Sequence, residues 1–517
     1  MASSTSLSLS VDSNQPRPAS WSQNLLTGVM VLVFGLVGGG LSASGHPQLA
    51  AIFVGLLLAL LVVSSRVTLF WLVMVTGLIV AGACQLYIPG SRYIRYVVPL
   101  ASAPLLLHWV AEYISQGRNH PDEPIPPTLA WAFGFLVSCL VSALINLSDP
   151  LQALVGIKDY FQMWALFLGI IYLRWPENFG KQLLIGLLVI GFIQLPFCAH
   201  EYLFLVPKRV GLGNGIVPVD VVAGTFGALL LGGGANAVLA AYQVILSGWM
   251  MAMWKNGLIS IVTAGVVSLL LLSPMLVNEA KVIVLYIPLV FGVVFYRDIA
   301  VQPMKFVMGG IAIGGLIALM MTALVLSQPS DKVKSWGDLV EFVIATQTAD
   351  TEERAGQYAE LSRLSALTFW AKQHEHANPI NTVFGHGVGA SRETEGGIDT
   401  AHTLAEIKYP GLRIGYTALS ALLWDVGLVG LAMVLAMLLS AYLTAGRVAQ
   451  FYRGKDPFKT AMFEGLQAAM AVVALSLAHK DFFVVNLPYQ TFVYLLVGFI
   501  INAGLQVDRE RRKARVA

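Results

Sequence analysis

Charge is scarce in this chain. Asp, Glu, Lys and Arg make up 12% of its 517 residues, against about 25% in a soluble domain. The shortage is spread along the chain, so one buried core helix does not account for it, and a soluble enzyme is excluded. Cysteine is scarce too. Cys84, Cys139 and Cys198 all fall in apolar runs. There they read as small core residues, with neither a disulfide framework nor a metal set among them. No excess of basic charge exists either. A net charge of +3 is too small to point to nucleic acid, and none is expected as a partner. No cleavable leader is expected: residues 1–20 are polar and Ser-rich and read as a disordered cytoplasmic N-terminus.

What is present is hydrophobicity, 56% of all residues. The runs Leu183–Phe197 and Val307–Leu326 contain no charge. A membrane-spanning helix needs about 20 apolar residues, whereas spanning strands alternate in polarity, and these runs do not. The fold expected is an all-α integral membrane protein of about 12–14 transmembrane helices. The run lengths place spans near 22–43, 47–65, 68–87, 94–114, 128–147, 155–173, 182–204, 223–250, 257–273, 279–296, 304–326, 414–444, 461–479 and 483–504. The span near 223–250 carries Gly227 and Gly232-Gly233-Gly234 and reads as broken or re-entrant.

Cytoplasmic loops collect Lys and Arg. Arg509, Arg511, Arg512, Lys513 and Arg515 place the C-terminal tail, 507–517, in the cytoplasm. Arg447, Arg453, Lys455 and Lys459 do the same for the loop before the last two spans. Alternating backwards puts Arg297, Lys305, Arg174, Lys181, Arg118 and Arg66 inside, and the N-terminus with Arg17 inside as well. The organisation expected is therefore helices 1–11 over 21–326, a large helical periplasmic loop over 327–413, and helices 12–14 over 414–506. That loop holds 20 of the 61 charged residues. Trp336, Leu361, Leu364, Leu367 and Trp370 give it an amphipathic character, as of an ordered cap. Arg92, Arg95, Lys208, Arg209, Lys281 and Lys480 break the charge rule by standing at outward ends. A cation held at a helix centre costs about 2.5–3.5 kcal/mol. Near an end it can snorkel, which suits Arg92 and Arg95. Lys208, Arg209 and Lys281 read instead as holders of an anionic phosphate or pyrophosphate.

The loop carries Gly385-His386-Gly387-Val388-Gly389-Ala390-Ser391. It lacks the Lys-Ser/Thr of a nucleotide loop, so its glycines read as a tight turn with close backbone approach. In His374-Glu375-His376 the two histidines do not share a helix face, and a solvated helix end is expected rather than a metal site. His402, after Asp399, is a candidate general base. Arg363 reads as a partner of Glu360 or Glu353 or as facing the membrane. Arg413 and Tyr416 stand at the re-entry into the membrane.

Together these residues resemble the O-antigen ligase and polymerase superfamily. The resemblance covers roughly 220–505. It rests on Gly224-Thr225-Phe226-Gly227 followed by Asn236, on Ser273-Pro274 with Asn278-Glu279-Ala280-Lys281, on Arg363 and Trp370, on the Gly385–Gly389 turn, and on Trp424-Asp425-Val426-Gly427-Leu428-Val429-Gly430. Where the family carries a His ahead of that last motif, this chain has Tyr416, with His402 further upstream. Lys281 stands where the family usually has Arg. The resemblance implies a metal-independent glycosyltransferase without cofactor, in the bacterial inner membrane, of the Wzy-like kind. It would polymerise undecaprenyl-pyrophosphate-linked repeat units at the periplasmic face in exopolysaccharide or O-antigen biosynthesis. Its partners would be that lipid-linked glycan, membrane lipids, and a chain-length regulator and flippase of the same pathway. Lys208, Arg209, Lys281 and Arg363 would hold the pyrophosphate. Arg413 would assist, and His402 or Tyr416 would serve as the base. An O-antigen ligase or protein O-oligosaccharyltransferase would use the same donor. From another class, a lipid-linked oligosaccharide transporter shares the hydrophobic pattern.

Overall fold

The computed structural model describes residues 65–88, 91–115, 125–210, 218–228, 235–278, 280–327, 337, 361–375, 379–393 and 403–516. It is 82% helical and, among the described residues, contains no strand. The protein is an all-α, multi-pass integral membrane protein. Contacts divide the chain into residues 1–69 and 70–517. Of the first unit only residues 65–69 are described, and there the Ser65 hydroxyl accepts from the Thr68 N–H at 3.2 Å to cap a helical turn.

The helices are α1 (Arg66–Tyr87), α2 (Val97–Ser115), α3 (Pro127–Ile145), α4 (Pro150–Phe161), α5 (Trp164–Tyr172), α6 (Phe179–Arg209), α7 (Asn236–Lys255), α8 (Ile261–Leu272), α9 (Ile283–Val301) and α10 (Pro303–Ser327). After the loop come the short α11 (Arg363–His374), α12 (Pro379–Phe384) and α13 (Leu404–Lys408). The chain then forms α14 (Ala418–Tyr452), α15 (Pro457–Ser476), α16 (Phe482–Val485) and α17 (Leu487–Val516). Among the described residues nine helices are long and apolar enough to cross a membrane, or ten if α4 and α5, bent by 41°, form one broken span. The 12-residue α8 and the 25-residue α10 lie where the remaining spans after residue 66 are expected. The spans expected near 22–43 and 47–65 lie outside the described residues, apart from Ser65.

These helices form because long Leu-, Val- and Ala-rich runs lack breakers. In a bilayer every backbone group must be satisfied within the segment. Helices α7, α15 and α17 bury 89, 72 and 78% of their apolar stretch, against 28–44% for the other long spans. These three are the centre and the rest a ring. The ring turns large apolar side chains outward, such as Leu144, Val262, Val301 and Met304, as lipid-facing helices do. At the centre Trp249 of α7 donates its indole N–H to the Met462 carbonyl of α15 at 2.9 Å. Cys139 and Cys198 are buried, Cys84 is partly buried, and all three are free thiols.

The span expected over 223–250 begins later, at Asn236. Ahead of it the chain makes two 3-10 turns, Pro218–Val221 and Gly224–Phe226. The glycines at 232–234 lie outside the described residues.

Candidate functional site

The irregular segment 218–228 builds the site. Buried backbone outside a helix must find other partners for its polar groups, and buried side chains of α6 supply them here. The Glu201 carboxylate accepts from the N–H groups of Ala223 and Gly224 at 2.9 and 2.7 Å. The Gln194 side-chain oxygen accepts from the Thr225 N–H at 2.8 Å, and the Thr225 hydroxyl donates to the Leu78 carbonyl at 2.6 Å. Gly82 permits this approach, since a Cβ there would meet the Thr225 carbonyl oxygen at 2.0 Å. The second 3-10 turn is thereby fixed, and the first, just before it, carries Asp220. The Asn236 amide, at the start of α7, donates to Asp220 Oδ1 at 2.9 Å.

Three cations from three elements face this carboxylate. They are Lys480 from the turn after α15, Arg209 from the end of α6, and Lys281 from the turn before α9. Burial pushes the Asp220 carboxyl up. Lys480, Arg209, Lys281 and the Asn236 hydrogen bond pull it back, and the net direction is upward. Arg209 is 2% exposed, yet its Nε and Nη1 make no hydrogen bond among the described residues. The Asn278 amide nitrogen and the Tyr286 hydroxyl are likewise buried without a hydrogen-bond partner among the described residues. A buried polar group left unsatisfied costs about 1–3 kcal/mol, more when charged.

Arg363 borders the same cluster. Its Nε donates to the His479 carbonyl at 2.7 Å, and its charge reaches Tyr286. Arg363 and Lys480 each lie 5.8 Å from the centre of the Tyr416 ring, so the ring is held by two cations. Of the residues singled out from sequence, Arg209, Lys281, Arg363 and Tyr416 are thus drawn together through Asp220, Lys480 and Tyr286. Arg363 docks on the His479 carbonyl, and Glu353 and Glu360, its expected partners, lie outside the described residues. Lys208 is the neighbour of Arg209 and is exposed. Arg413 is exposed on the turn before Tyr416. Its φ is 50°, its carbonyl accepts from the Tyr416 N–H at 2.9 Å, and its own N–H donates to Glu393 at 2.9 Å. His402, Glu353 and Glu360 lie outside the described residues, as do Trp336, Asp399 and His376.

Asp220 escaped the sequence reading. The available signal was an acid in an otherwise apolar Pro-Val-Asp-Val stretch, which at membrane depth is expensive and marks a site. His479 also escaped it. Burial, then Arg363, then Lys480 hold its imidazole well below the usual range, so it stands neutral beside the cations.

Two sequence motifs meet beside this cluster. The Gly385–Gly389 turn packs on α14 where that helix breaks at Gly427. Gly385, Gly387 and Gly389 have φ of 77°, 102° and 83°, and a Cβ on Gly385 would stand 2.5 Å from the Asp425 backbone. The glycines therefore serve the tight turn and close approach expected of them. The Asp425 carboxylate accepts from the Ser391 N–H at 2.7 Å and from the Tyr160 hydroxyl at 2.9 Å. The His386 N–H donates to the Trp424 carbonyl at 2.7 Å. Around Trp424 a small core of Leu361, Ala366, Ala405, Tyr409 and Ile414 ties α11 and α13 to α14.

The helix end at His374-Glu375 is not solvated as expected. His374 is buried and its Nε2 lies 3.0 Å from His386 Nε2. Its ring stacks on Trp370 with centroids 4.5 Å apart. The physical reason is that Trp370 and Trp424 turn this face inward, so the ring is shielded although Glu375 is exposed. Among the described residues no three His, Cys, Asp or Glu side chains gather as a metal ligand set.

Neither a comparison with protein-family models nor one with curated proteins finds a match for this chain.

Proposed function

We propose that the protein is a glycosyltransferase of the O-antigen polymerase kind. It would join undecaprenyl-pyrophosphate-linked repeat units at the periplasmic face of a bacterial inner membrane, with both termini cytoplasmic. The observation that carries this reading is Arg209, whose guanidinium is buried with two nitrogens unbonded among the described residues. Such a group wants planar acceptors, and phosphoryl oxygens fit its fork. Lys281 and Lys480 add point charge, and the Asn278 amide and Tyr286 hydroxyl add donors. A departing pyrophosphate gains negative charge in the transition state, and preorganised donors in a dry site act most strongly there. Arg363 and Lys480 hold Tyr416 against the cluster, where its ring would orient the sugar. Lys208 and Arg413, both exposed, would receive the substrate from solvent.

The test uses purified protein in lipid nanodiscs with undecaprenyl-pyrophosphate-linked repeat units. A ladder of glycan lengths is expected, and Arg209→Ala should abolish it. A single capped acceptor in place of the ladder would move the reading to a ligase or protein O-oligosaccharyltransferase. Movement of the lipid-linked glycan across the bilayer without new glycosidic bonds would replace it by transport. An unchanged ladder from Arg209→Ala would remove the site assignment.

A further inference from the structure

We propose that Asp220 is the general base of this site and takes the proton from the acceptor sugar hydroxyl. The inference rests on the glycosyl-transfer reading above and names a residue that reading did not assign.

The geometry leads to it. Asp220 Oδ1 is occupied by the Asn236 amide at 2.9 Å, which fixes the plane of the carboxylate. Oδ2 has no hydrogen-bond or ion-pair partner among the described residues. Arg209, which is in electrostatic reach, is also short of partners. An acid with an open oxygen and a guanidinium with open nitrogens would normally close on each other. Here they do not, and Asp220 stays partly exposed while Arg209 is buried. The arrangement suits a ligand that enters between them, presenting a hydroxyl donor to Oδ2 and phosphoryl acceptors to Arg209. A lipid pyrophosphate-linked sugar and a sugar acceptor supply both.

The step balances. The acceptor O–H bond breaks and its proton moves to Asp220 Oδ2. The acceptor oxygen forms a bond to the anomeric carbon. The bond from that carbon to the pyrophosphate oxygen breaks, and its electron pair leaves with the lipid pyrophosphate, whose charge faces Arg209, Lys281 and Lys480. Asp220 then returns the proton to solvent.

Other bases nearby are less suited. The best base has a pKa near the working pH. The His479 imidazole is held far below that range by burial and by Arg363 and Lys480, so it is weakly basic. The Tyr416 ring lies against two cations and its hydroxyl is a weak base while protonated. Asp220 moves in the useful direction, upward, even with Lys480, Arg209 and Lys281 facing it.

The experiment compares wild type, Asp220→Asn and Asp220→Glu in nanodiscs. It measures elongation of lipid-linked repeat units across pH and binding of undecaprenyl pyrophosphate. Asp220→Asn keeps the side-chain shape and an oxygen for the Asn236 amide, and removes a negative charge from an anion site. Binding should stay equal or tighten, while elongation falls by about 10²–10⁴-fold, the usual range for loss of a general base. Wild-type elongation should fall at low pH as Asp220 is protonated. Asp220→Glu should regain part of the rate with this acid limb displaced. A merely structural role would weaken binding and leave the limb in place. Asp220→Asn elongating at the wild-type rate, or an acid limb that follows His479→Gln instead, overturns the assignment while leaving glycosyl transfer intact. A wild type that binds the lipid pyrophosphate and never elongates overturns glycosyl transfer itself, and the base with it.

Discussion

The bundle carries a charged cluster at each end of α7, and the two treat charge in opposite ways. At the Lys255 end, charges close on one another. Lys255 lies 2.9 Å from Asp298 and 3.3 Å from Glu464, and donates to the Val294 carbonyl at 2.7 Å. Arg453 reaches Glu464 at 2.8 Å, and the Asn256 amide takes the other Glu464 oxygen at 2.9 Å. At the Asn236 end, about 30 Å away along a 20-residue helix, Arg209 keeps two nitrogens and Asp220 one oxygen unbonded among the described residues. A network whose donors and acceptors are matched is finished as it stands and reads as structure. One that leaves buried donors open reads as a site, because a ligand recovers the desolvation cost that the fold alone does not.

The comparison breaks first on Arg209. Arg209→Ala should lower elongation by about 10²–10³-fold, the effect of losing one preorganised donor to a developing charge. Undecaprenyl pyrophosphate binding should weaken alongside, and thermal stability should hold or rise, since an unsatisfied buried charge is gone. A large drop in melting temperature with normal elongation per folded molecule would make this end structural too. The converse holds for Glu464→Ala. Its side chain is 7% exposed, and its loss leaves Lys255 with Asp298 as its remaining carboxylate and takes the Glu464 carboxylate from Arg453. Breaking a buried pair from one side costs about 3–5 kcal/mol. Thermal unfolding should move down strongly, while the surviving folded protein elongates normally. Loss of elongation out of proportion to folding would bring the Lys255 end into the function.

Much of the frame was legible. Charge depletion and uncharged runs give the membrane class, and positions 66 onward break into helices near the expected limits. The glycines of the 385–389 turn read correctly because a Gly-x-Gly-x-Gly pattern without Lys has few uses besides tight turning. The partners of those glycines were not legible. Nothing local in the sequence says that Gly385 packs on Asp425, or that His374 faces His386, because these contacts are made by chain closure across long separations. Asp220 was missed for a related reason. Its neighbours Val219 and Val221 look like any apolar run, and only the folding of 218–228 against Glu201 and Gln194 brings it to cations from three separate elements. Arg209, Lys281 and Lys480 were visible because they stand at the wrong ends for their charge.

A third substitution asks whether the loop motif belongs to the site end as scaffold. Gly427 has φ 66° and ψ −164°, a region open essentially to glycine alone, at a cost of about 1–3 kcal/mol for other residues. A Cβ there would meet the Gly385 nitrogen and the Val383 carbonyl at 2.5 Å, backbone that cannot rotate away. Gly427→Ala should lower the melting temperature and reduce elongation, with Arg209-dependent lipid pyrophosphate binding retained. Unchanged elongation would detach the 385–389 turn from the catalytic end.

The smallest effect at neutral pH is expected at His386. The His374 Nδ1–H donates to the Trp370 carbonyl at 2.8 Å, which leaves Nε2 as an acceptor. His386 must then donate through its own Nε2, across 3.0 Å, and its Nδ1 is left to accept from the Asn381 amide at 3.3 Å. This chain holds only while both rings are neutral, because a further proton on His374 Nε2 sets two N–H groups against each other. Burial, then His374, then Lys408 lower His386 from 6.5 to about 4. The unfolded chain therefore takes up this proton first as pH falls. The neutral pair contributes its full stability above about pH 6.5 and loses it progressively between 6.5 and about 4. His386→Gln should be nearly silent in melting temperature at pH 7.5, and should flatten the decline of melting temperature between pH 6.5 and 4. An equally steep decline in the variant would place the acid sensitivity elsewhere, with His374, which burial also lowers, the next group to substitute.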